Sequence, residues 1–202
     1  INNELVAIFG NFVNRVMVLS HKYFDGKVLN GSPLTAVDQS VLNELKSYPA
    51  SIKSSLEQFR FREALAEFMN VARLGNKYLA DEEPWKVIKT DEERVKTILN
   101  VASQIVANLA VLAQPFLPKT ATTLFEMLNF PQGNWNDAGN DGLIEDGHQL
   151  GEVQLLFDKI TDEQVEFQLN KLAEAKLKNV ADNAKVAPAK ENISFDDFVK
   201  MD

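Results

Sequence analysis

The stretch from Val95 to Leu112 constrains the fold most, because its apolar residues recur at steps of three and four. Its members are Val95, Ile98, Leu99, Ala102, Ile105, Val106, Leu109 and Leu112. So broad an apolar face, with many alanines, is typical of the central helix of a bundle. The capping-box spacing of Thr90 and Glu93 predicts its start, with Thr90 as the N-cap. The sequence therefore favours an all-α helix bundle.

The same helical period predicts further helices on both sides of this one. In the opening segment one face carries the apolar residues Leu5, Ile8, Phe9, Phe12, Val16, Leu19 and Tyr23. Phe24-Asp25-Gly26 ends that helix, with Gly26 in the turn. Other helices are predicted at about 36–59, 62–79, 118–128 and 161–178. Pro49 divides or kinks the first of these, and Thr161 with Gln164 caps the last.

Two segments lack the helical period. Residues 131–151 are rich in Gly, Asn and Asp, which predicts a long polar loop, and residues 153–157 suggest a short extended piece. Residues 179–194 have the composition of a linker. We therefore expect a helical domain at 1–178, then a linker and the truncated start of a further domain at 179–202. We also expect the parent chain to begin upstream of Ile1.

Composition excludes several classes of function. The 202 residues include no Cys, so disulfides, thiolate metal sites and a Cys nucleophile are excluded, and a reducing cytoplasm is the expected location. No apolar run approaches the roughly 20 residues that span a bilayer. The net charge of -8 argues against coating DNA or RNA by bulk electrostatics. A small site that reads a few unpaired bases remains compatible with this charge.

Residues typical of catalysis are sparse. The two histidines are His21, on the polar face of the first helix, and His148, in the long loop. We expect both to be solvated rather than to act as metal ligands or bases. The acidic run 81–83 lies at a helix end, where such runs are usually solvated. We therefore expect neither catalytic residues nor a metal site in this chain.

Trp85 is the first candidate for recognition. Pro84 disfavours helix at Glu83, so the indole stands at the corner where the chain leaves the third helix. An exposed Trp face can stack on an unpaired base, which contributes roughly 1–3 kcal/mol. The alternative is a ring that packs back onto its own core. The other tryptophan, Trp135, lies in the polar loop and is expected to hold that loop against the bundle.

Asn11 and Arg15 are the second candidates. They are four residues apart on the first helix, hence neighbours on one shoulder of its apolar face. The Asn amide offers a donor and an acceptor, and the Arg guanidinium offers several donors. The alternative is a pair of surface residues with no specific role.

Several segments together resemble the anticodon-binding domain of the methionyl-tRNA synthetase family. They are the first helix with Asn11, Arg15 and Phe24-Asp25-Gly26; Asn76-Lys77-Tyr78-Leu79; Glu83-Pro84-Trp85-Lys86; Pro115-Phe116-Leu117-Pro118 with Thr120-Ala121; and Leu156-Phe157-Asp158-Lys159-Ile160. The Pro115 element is shared by several related class I synthetases. The resemblance covers residues 1 to about 175, and the tail 193–202 resembles the start of the OB-fold tRNA-binding domain of some bacterial members.

This resemblance implies an all-α fold that recognises the CAU anticodon of methionine tRNAs. Trp85 matches the family's stacking tryptophan, while Asn11 and Arg15 match residues that contact anticodon bases, chiefly the first, a cytosine. Some relatives carry Asn where Ala7 stands, and no reading role is assigned to Ala7. Two alternatives stay open. The chain is the same module from another class I synthetase, or a non-catalytic helical scaffold that docks protein partners.

The resemblance also implies a larger parent enzyme. That enzyme would use ATP with Mg, carry a structural Zn and hold its catalytic domain in the same polypeptide. The family's ATP-site motifs, catalytic domain and zinc-binding insert are absent from this chain. By itself the chain is therefore expected to carry no cofactor and not to activate methionine, and neither a membrane nor DNA is an expected partner.

Overall fold

The computed structural model describes residues 1–183, 194 and 198–200. The chain separates into two compact units, Ile1–Lys159 and Ile160–Asp202. Helices dominate the described residues, so the predicted all-α class is confirmed. Most of the predicted linker and truncated domain at 179–202 lies outside the described residues.

The first unit carries six α-helices and one small sheet in its described residues. A π-helical segment, Asn2–Gly10, continues directly into α1. The elements in order are α1 (Asn11–Phe24), β1 (Lys27–Val28), α2 (Ala36–Glu57), α3 (Phe61–Glu82), the single turn α4 (Pro84–Val87), α5 (Glu92–Ala113), α6 (Pro118–Met127), a 3-10 turn (Trp135–Asp137) and β2 (His148–Gln149). β1 and β2 pair antiparallel, with Lys27 opposite Gln149 and Val28 opposite His148.

The second unit contains α7 (Asp162–Asn183). The predicted capping box is confirmed: the Thr161 main-chain N–H donates to Gln164 Oε1 at 3.0 Å, and the Gln164 N–H donates to Thr161 Oγ1 at 3.4 Å. α7 continues five residues past Lys178, where its end was predicted. Residues 179–183 are Asn, Val, Ala, Asp and Asn, most of them weak helix formers, so their composition predicted an earlier end than the structure shows.

α5 is the central helix of the first unit, as predicted. Nearly every side chain from Val95 to Ala113 is buried against the surrounding helices. α5 is also long and apolar enough to cross a membrane by length and composition, a property not anticipated from the sequence. However, 89% of that apolar window is buried inside the fold. Packing in the bundle core therefore accounts for its apolar character.

The N-cap of α5 was predicted one residue too early. Asp91 is the N-cap, and its carboxylate accepts from the Arg94 N–H at 2.9 Å. Thr90 instead closes the preceding turn, since its hydroxyl donates to the Val87 carbonyl at 3.2 Å. Asp and Thr are both favourable N-cap residues. Asp91 takes the position because the Thr90 hydroxyl bonds within the turn that follows α4.

Two other expectations are settled by the fold. α2 is one continuous helix with a buried Pro49, rather than two helices. The predicted extended piece at 153–157 is not a strand. The strand lies earlier, at His148–Gln149, because only those residues meet a partner, β1, which follows the tight turn at Asp25 and Gly26. Pairing between residues this far apart leaves no local signal in the sequence.

Polar side chains of α5 attach the long loop to the bundle. Gln104 bonds both main-chain groups of Ile144, with Nε2 2.7 Å from the carbonyl oxygen and Oε1 3.1 Å from the nitrogen. One turn later, Asn108 Nδ2 donates to the Asn140 carbonyl at 2.8 Å. Both amides are buried, and each satisfies loop main-chain groups that would otherwise lose water. The loop is therefore held in place despite its polar sequence.

A buried carboxylate joins α2, α3 and α5. Asp38 accepts from both terminal nitrogens of Arg94, at 2.6 and 2.9 Å, and from the Tyr78 hydroxyl at 2.6 Å. Arg94 also pairs with Glu82 at 2.6 Å. Burial alone would raise the pKa of Asp38, but hydrogen bonds from Arg94, Tyr78 and the Thr35 main chain lower it from 3.8 to about 2. The carboxylate is thus charged in the folded chain at neutral pH.

A glycine sets the distance between α1 and α3. A Cβ on Gly75 would lie 2.2 Å from Phe12 Cζ, so the ring rests directly on the helix backbone. Phe12 is fully buried, so a shift of its ring would disturb the surrounding core. Gly75 therefore permits a contact that alanine would prevent.

We predict that Asp38→Asn destabilises the chain at neutral pH by about 2–3 kcal/mol, because Arg94 loses one of its two charged partners and keeps only Glu82. The pKa of Asp38 is lower in the folded than in the unfolded chain, so the charged carboxylate contributes stability above about pH 4. About 2 kcal/mol of this is lost as the pH falls towards 2. Urea unfolding of the unsubstituted chain and of Asp38→Asn is measured from pH 7 to pH 2.5. The difference between their free energies of unfolding should become smaller below pH 4. A difference that stays constant would contradict this assignment.

We predict that Gly75→Ala lowers the free energy of unfolding by roughly 1–3 kcal/mol, because Phe12 must leave its position. This loss outweighs the gain in helix propensity, which is about 1 kcal/mol. Thermal melting would measure it, and adding Phe12→Leu should restore part of the stability. Gly142→Ala is the control, since its Cβ would meet only Asn140 Oδ1, at 3.5 Å. Equal stability of Gly75→Ala and the parent would refute the close contact.

Candidate nucleic-acid interface

The candidate surface begins at the junction between the π-helical segment and α1. The Asn11 main-chain N–H, at this junction, reaches the carbonyls of both Ile8 and Val6. The Ile8 carbonyl also accepts from Asn76 Nδ2 of α3, at 2.8 Å. A change from i+5 to i+4 bonding alters the number of residues per turn, which changes the direction of every side chain beyond it.

The apolar face of the first helix is close to the predicted one. The buried residues of α1 are Phe12, Val13, Val16, Met17, Ser20 and Phe24. Leu19 and Tyr23, predicted for the same face, are only partly buried. Phe9, Phe12 and Val16 are fully buried as predicted, while Leu19 and Tyr23 pack at the edge of the core.

Asn11 and Arg15 lie beside the buried face, as predicted. Asn11 is half-buried and Arg15 is exposed, and each precedes a fully buried residue, Phe12 and Val16. Within the described part of the chain Arg15 forms no ion pair. Its donors are therefore not taken up by a carboxylate there.

Trp85 stands at the corner that Pro84 predicts. Glu83 adopts a left-handed conformation, with φ of 42°, and Pro84 begins the single turn α4. α3 extends to Glu82, three residues beyond the predicted Leu79, because the helix persists until the residue before Pro84. The indole of Trp85 is half-buried.

The two tryptophans differ in their packing. Trp135 packs against the hydrophobic core, which confirms its predicted role in holding the loop. Trp85 is not part of the core packing among residues 1–159. A half-exposed indole outside the core is the arrangement that base stacking requires, and it is not the one expected of a purely structural tryptophan.

The fold brings Arg15 against Trp85, although they are far apart in sequence. The guanidinium carbon of Arg15 lies 5.7 Å from the centroid of the Trp85 ring, within the range of a cation–π contact. Asn11 stands one helical turn before Arg15 on the same side of the helix. An aromatic face, a set of cationic donors and an amide therefore share one region of the surface. These groups can stack on a base and hydrogen-bond its edge.

The acidic run beside Trp85 is exposed at Asp81 and partly exposed at Glu83, as predicted, and each of its three side chains also forms an ion pair. Asp81 bonds to Lys77 at 2.6 Å, and Glu83 bonds to Lys86 at 2.7 Å. Glu82 bonds to Arg94, as described above. The run therefore places little unpaired negative charge near the indole, which reduces repulsion of a phosphate backbone. Over the residues with described positions, no group of three or more acidic or histidine side chains is placed to hold a metal ion.

The histidines depart from the prediction of solvated side chains. His21 Nδ1 is 2.9 Å from the Met17 carbonyl, and His148 Nε2 is 2.7 Å from the Leu128 carbonyl. Both rings are half-buried. A carbonyl accepts only from a protonated ring nitrogen, so each imidazole is oriented by the main chain.

Comparison with known proteins identifies the family and supports the fold. The family model described as the anticodon binding domain of methionyl tRNA ligase matches residues 28–176, which is more than half of the chain. The class is therefore that of tRNA anticodon-binding domains. Trp85 lies inside the matched segment, whereas Asn11 and Arg15 precede it.

Curated relatives give the particular family. Methionine–tRNA ligase of Cytophaga hutchinsonii is 56% identical over 201 residues, and that of Flavobacterium psychrophilum is 57% identical over 203 residues. Both alignments cover 100% of this chain but only 29% and 30% of the relatives. The chain belongs to the methionyl-tRNA ligase family and corresponds to its anticodon-binding domain. The predicted family, rather than that of another class I synthetase, is confirmed.

Solved structures agree on the fold. Mycobacterium tuberculosis methionyl-tRNA synthetase, in complex with methionyl-adenylate, matches 78% of this chain and 32% of its own, with a TM-score of 0.69 and 22% identity. The apo form of that enzyme matches 80% of this chain with a TM-score of 0.68 and 23% identity. At these identities the likeness supports the helical architecture alone.

We predict that Arg15 and Trp85 are coupled energetically in the absence of RNA. Unfolding of Arg15→Met, Trp85→Leu and the double variant should show a coupling of about 0.5–1 kcal/mol, typical of an exposed cation–π contact. Arg62→Met with Trp85→Leu is the control cycle, because Arg62 belongs to α3 and forms no contact with the indole. Additive effects in the Arg15 cycle would show that the two side chains do not interact in solution.

Proposed function

We propose that this domain reads the CAU anticodon of methionine tRNAs through Trp85, Asn11 and Arg15. The observation that carries the proposal is the contact of Arg15 with a half-exposed Trp85 that takes no part in the core packing. Family membership supplies the class of ligand, an anticodon loop. The residues supply the way in which it is recognised.

Trp85 contributes affinity. Its ring offers area on which an unpaired anticodon base can stack, worth roughly 1–3 kcal/mol per base. Every base has such a face, so stacking alone chooses none of them. Arg15 lies over the ring, so a base stacked on Trp85 would come within reach of the guanidinium donors.

Asn11 and Arg15 contribute the choice of base. The edge of cytosine presents an amino donor beside ring-nitrogen and carbonyl acceptors. An Asn amide can accept from that amino group, and an Arg guanidinium can donate to the acceptors. A different first base would leave a desolvated donor or acceptor unpaired, which costs about 1–3 kcal/mol. Discrimination therefore follows from pairing of the base edge rather than from attraction to phosphates.

The charge of the chain fits this mode of binding. A net charge of -8 leaves little non-specific attraction for RNA. Few phosphate contacts imply a shallow dependence of affinity on salt, whereas stacking and edge pairing persist as salt rises. The domain thus recognises a short stretch of RNA whose bases are unpaired.

The parent enzyme is proposed to join methionine to its tRNA with ATP, in the cytoplasm. The chain spans less than a third of its curated relatives. The catalytic domain would therefore lie elsewhere in the same polypeptide. ATP, Mg and the structural Zn of the parent would be bound there, since the described residues of this chain offer no cluster that fits a metal ion.

We predict that the chain binds an anticodon stem-loop carrying CAU at least about tenfold more tightly than one with its first base changed. Binding is measured at one fixed salt concentration. Trp85→Ala should weaken binding to both loops with little change in melting temperature. Asn11→Ala and Arg15→Met should mainly reduce the preference between the loops.

Trp135→Ala is the matched control, because that indole packs on the core. It should lower stability and leave the preference for CAU unchanged in the folded protein. Equal binding to both loops, unaffected by changes at Trp85, Asn11 and Arg15, would refute the proposal and favour a protein-docking scaffold.

A further inference from the structure

We propose that Asn76 is a positioning residue for base recognition, which holds Asn11 in its orientation relative to Trp85. This inference rests on the proposed function. It adds a residue that would touch no RNA and would act through the main chain of the first helix.

The contacts of Asn76 support this role. Its Nδ2 donates to the Ala72 carbonyl of its own helix at 3.1 Å and to the Ile8 carbonyl of the π-helical segment at 2.8 Å. The first contact fixes the rotamer, and the second fixes the neighbouring segment. Asn76 is half-buried, so water competes less for this bond than it would at an exposed site.

The Ile8 carbonyl is a sensitive point, because the hydrogen-bond pattern changes there. Asn11, whose main-chain N–H reaches both Ile8 and Val6, is the first residue of α1. A single-residue change of register at this junction would turn the Asn11 side chain by about 100°. The bond from Asn76 occupies the carbonyl and thereby favours the observed register.

α3 supplies a common frame for both parts of the surface. It carries Asn76 near its end, and the chain then turns at Glu83 into the short helix that bears Trp85. The adjacent Gly75 lets Phe12 rest on the α3 backbone. An exposed ion pair of Arg73 with Glu4 also joins α3 to the segment, but exposed pairs hold geometry weakly. Asn76 therefore provides the contact through which α3 orients the main chain next to Asn11.

The test compares Asn76→Ala, Asn76→Gln and the control Asn70→Ala in the full 202-residue chain. Asn70 is an exposed residue of the same helix, and its amide oxygen accepts from Arg73 on that helix. Each variant is measured for binding to the CAU stem-loop and to the loop with its first base changed. The same pair of measurements is repeated in an Asn11→Ala background, and thermal melting confirms folding.

Asn76→Ala should reduce the preference for CAU on the order of tenfold in the parent background and have little effect when Asn11 is already Ala. Asn76→Gln, which keeps an amide donor, should recover part of the preference, and Asn70→Ala should retain all of it. This pattern separates positioning from a general loss of stability, which would not depend on Asn11. If Asn76→Ala fails to fold, the comparison of Asn76→Gln in the two backgrounds decides.

Two outcomes would overturn the inference in different ways. If the unsubstituted chain prefers CAU and Asn76→Ala keeps that preference, only the positioning role is refuted. The same holds if Asn76→Ala reduces the preference equally in the unsubstituted and the Asn11→Ala backgrounds. A parent without any preference for CAU would refute the proposed function and this inference together.

Discussion

The guanidinium of Arg94 is the interaction on which much of the bundle depends. It bonds to Asp38 of α2 and to Glu82 at the end of α3, while itself belonging to the first turn of α5. Buried ion pairs often add little stability compared with apolar packing, but they are costly to leave half-formed. Here the network favours one arrangement of three helices. Glu82 is also three residues before Trp85, so the network fixes where the indole leaves the bundle.

α3 connects this buried network to the proposed recognition surface. Along its last two turns, Gly75 receives Phe12, Asn76 binds the Ile8 carbonyl and Tyr78 binds Asp38. The same helix then ends at the corner that carries Trp85. One rigid element therefore both holds the bundle together and supports the proposed surface, which is the support that a precise binding site needs.

Local signals allowed much of the fold to be predicted. Helical periodicity located the helices, and the effect of Pro84 on Glu83 placed Trp85 at a corner. The features that were missed depend on hydrogen bonds to residues outside the element itself. The N-cap of α5 is Asp91 rather than Thr90, because the Thr90 hydroxyl bonds within the preceding turn. β2 forms because β1 lies opposite it.

The candidate site was predicted in part. Spacing placed Asn11 and Arg15 side by side, but no spacing rule links either to Trp85, because that contact joins α1 to α4, which are far apart in sequence. The π-helical segment was also missed, since its clearest stabilising contact comes from Asn76, far along the chain. The only feature of the sequence that pointed to Asn76 was its place in Asn76-Lys77-Tyr78-Leu79, one of the segments that resemble the family. Residues that act through another segment's main chain leave little trace in a periodic pattern.

The Arg15–Trp85 contact implies that the proposed surface is already organised in the chain without RNA. A flexible arginine loses rotamer freedom when it is fixed in a complex, and that loss weakens binding. In this chain part of the loss has already occurred on folding, because the guanidinium lies over the indole. A site formed in this way can discriminate among bases with few contacts. An acidic domain, which cannot rely on attraction to phosphates, depends on such organisation more than a basic one does.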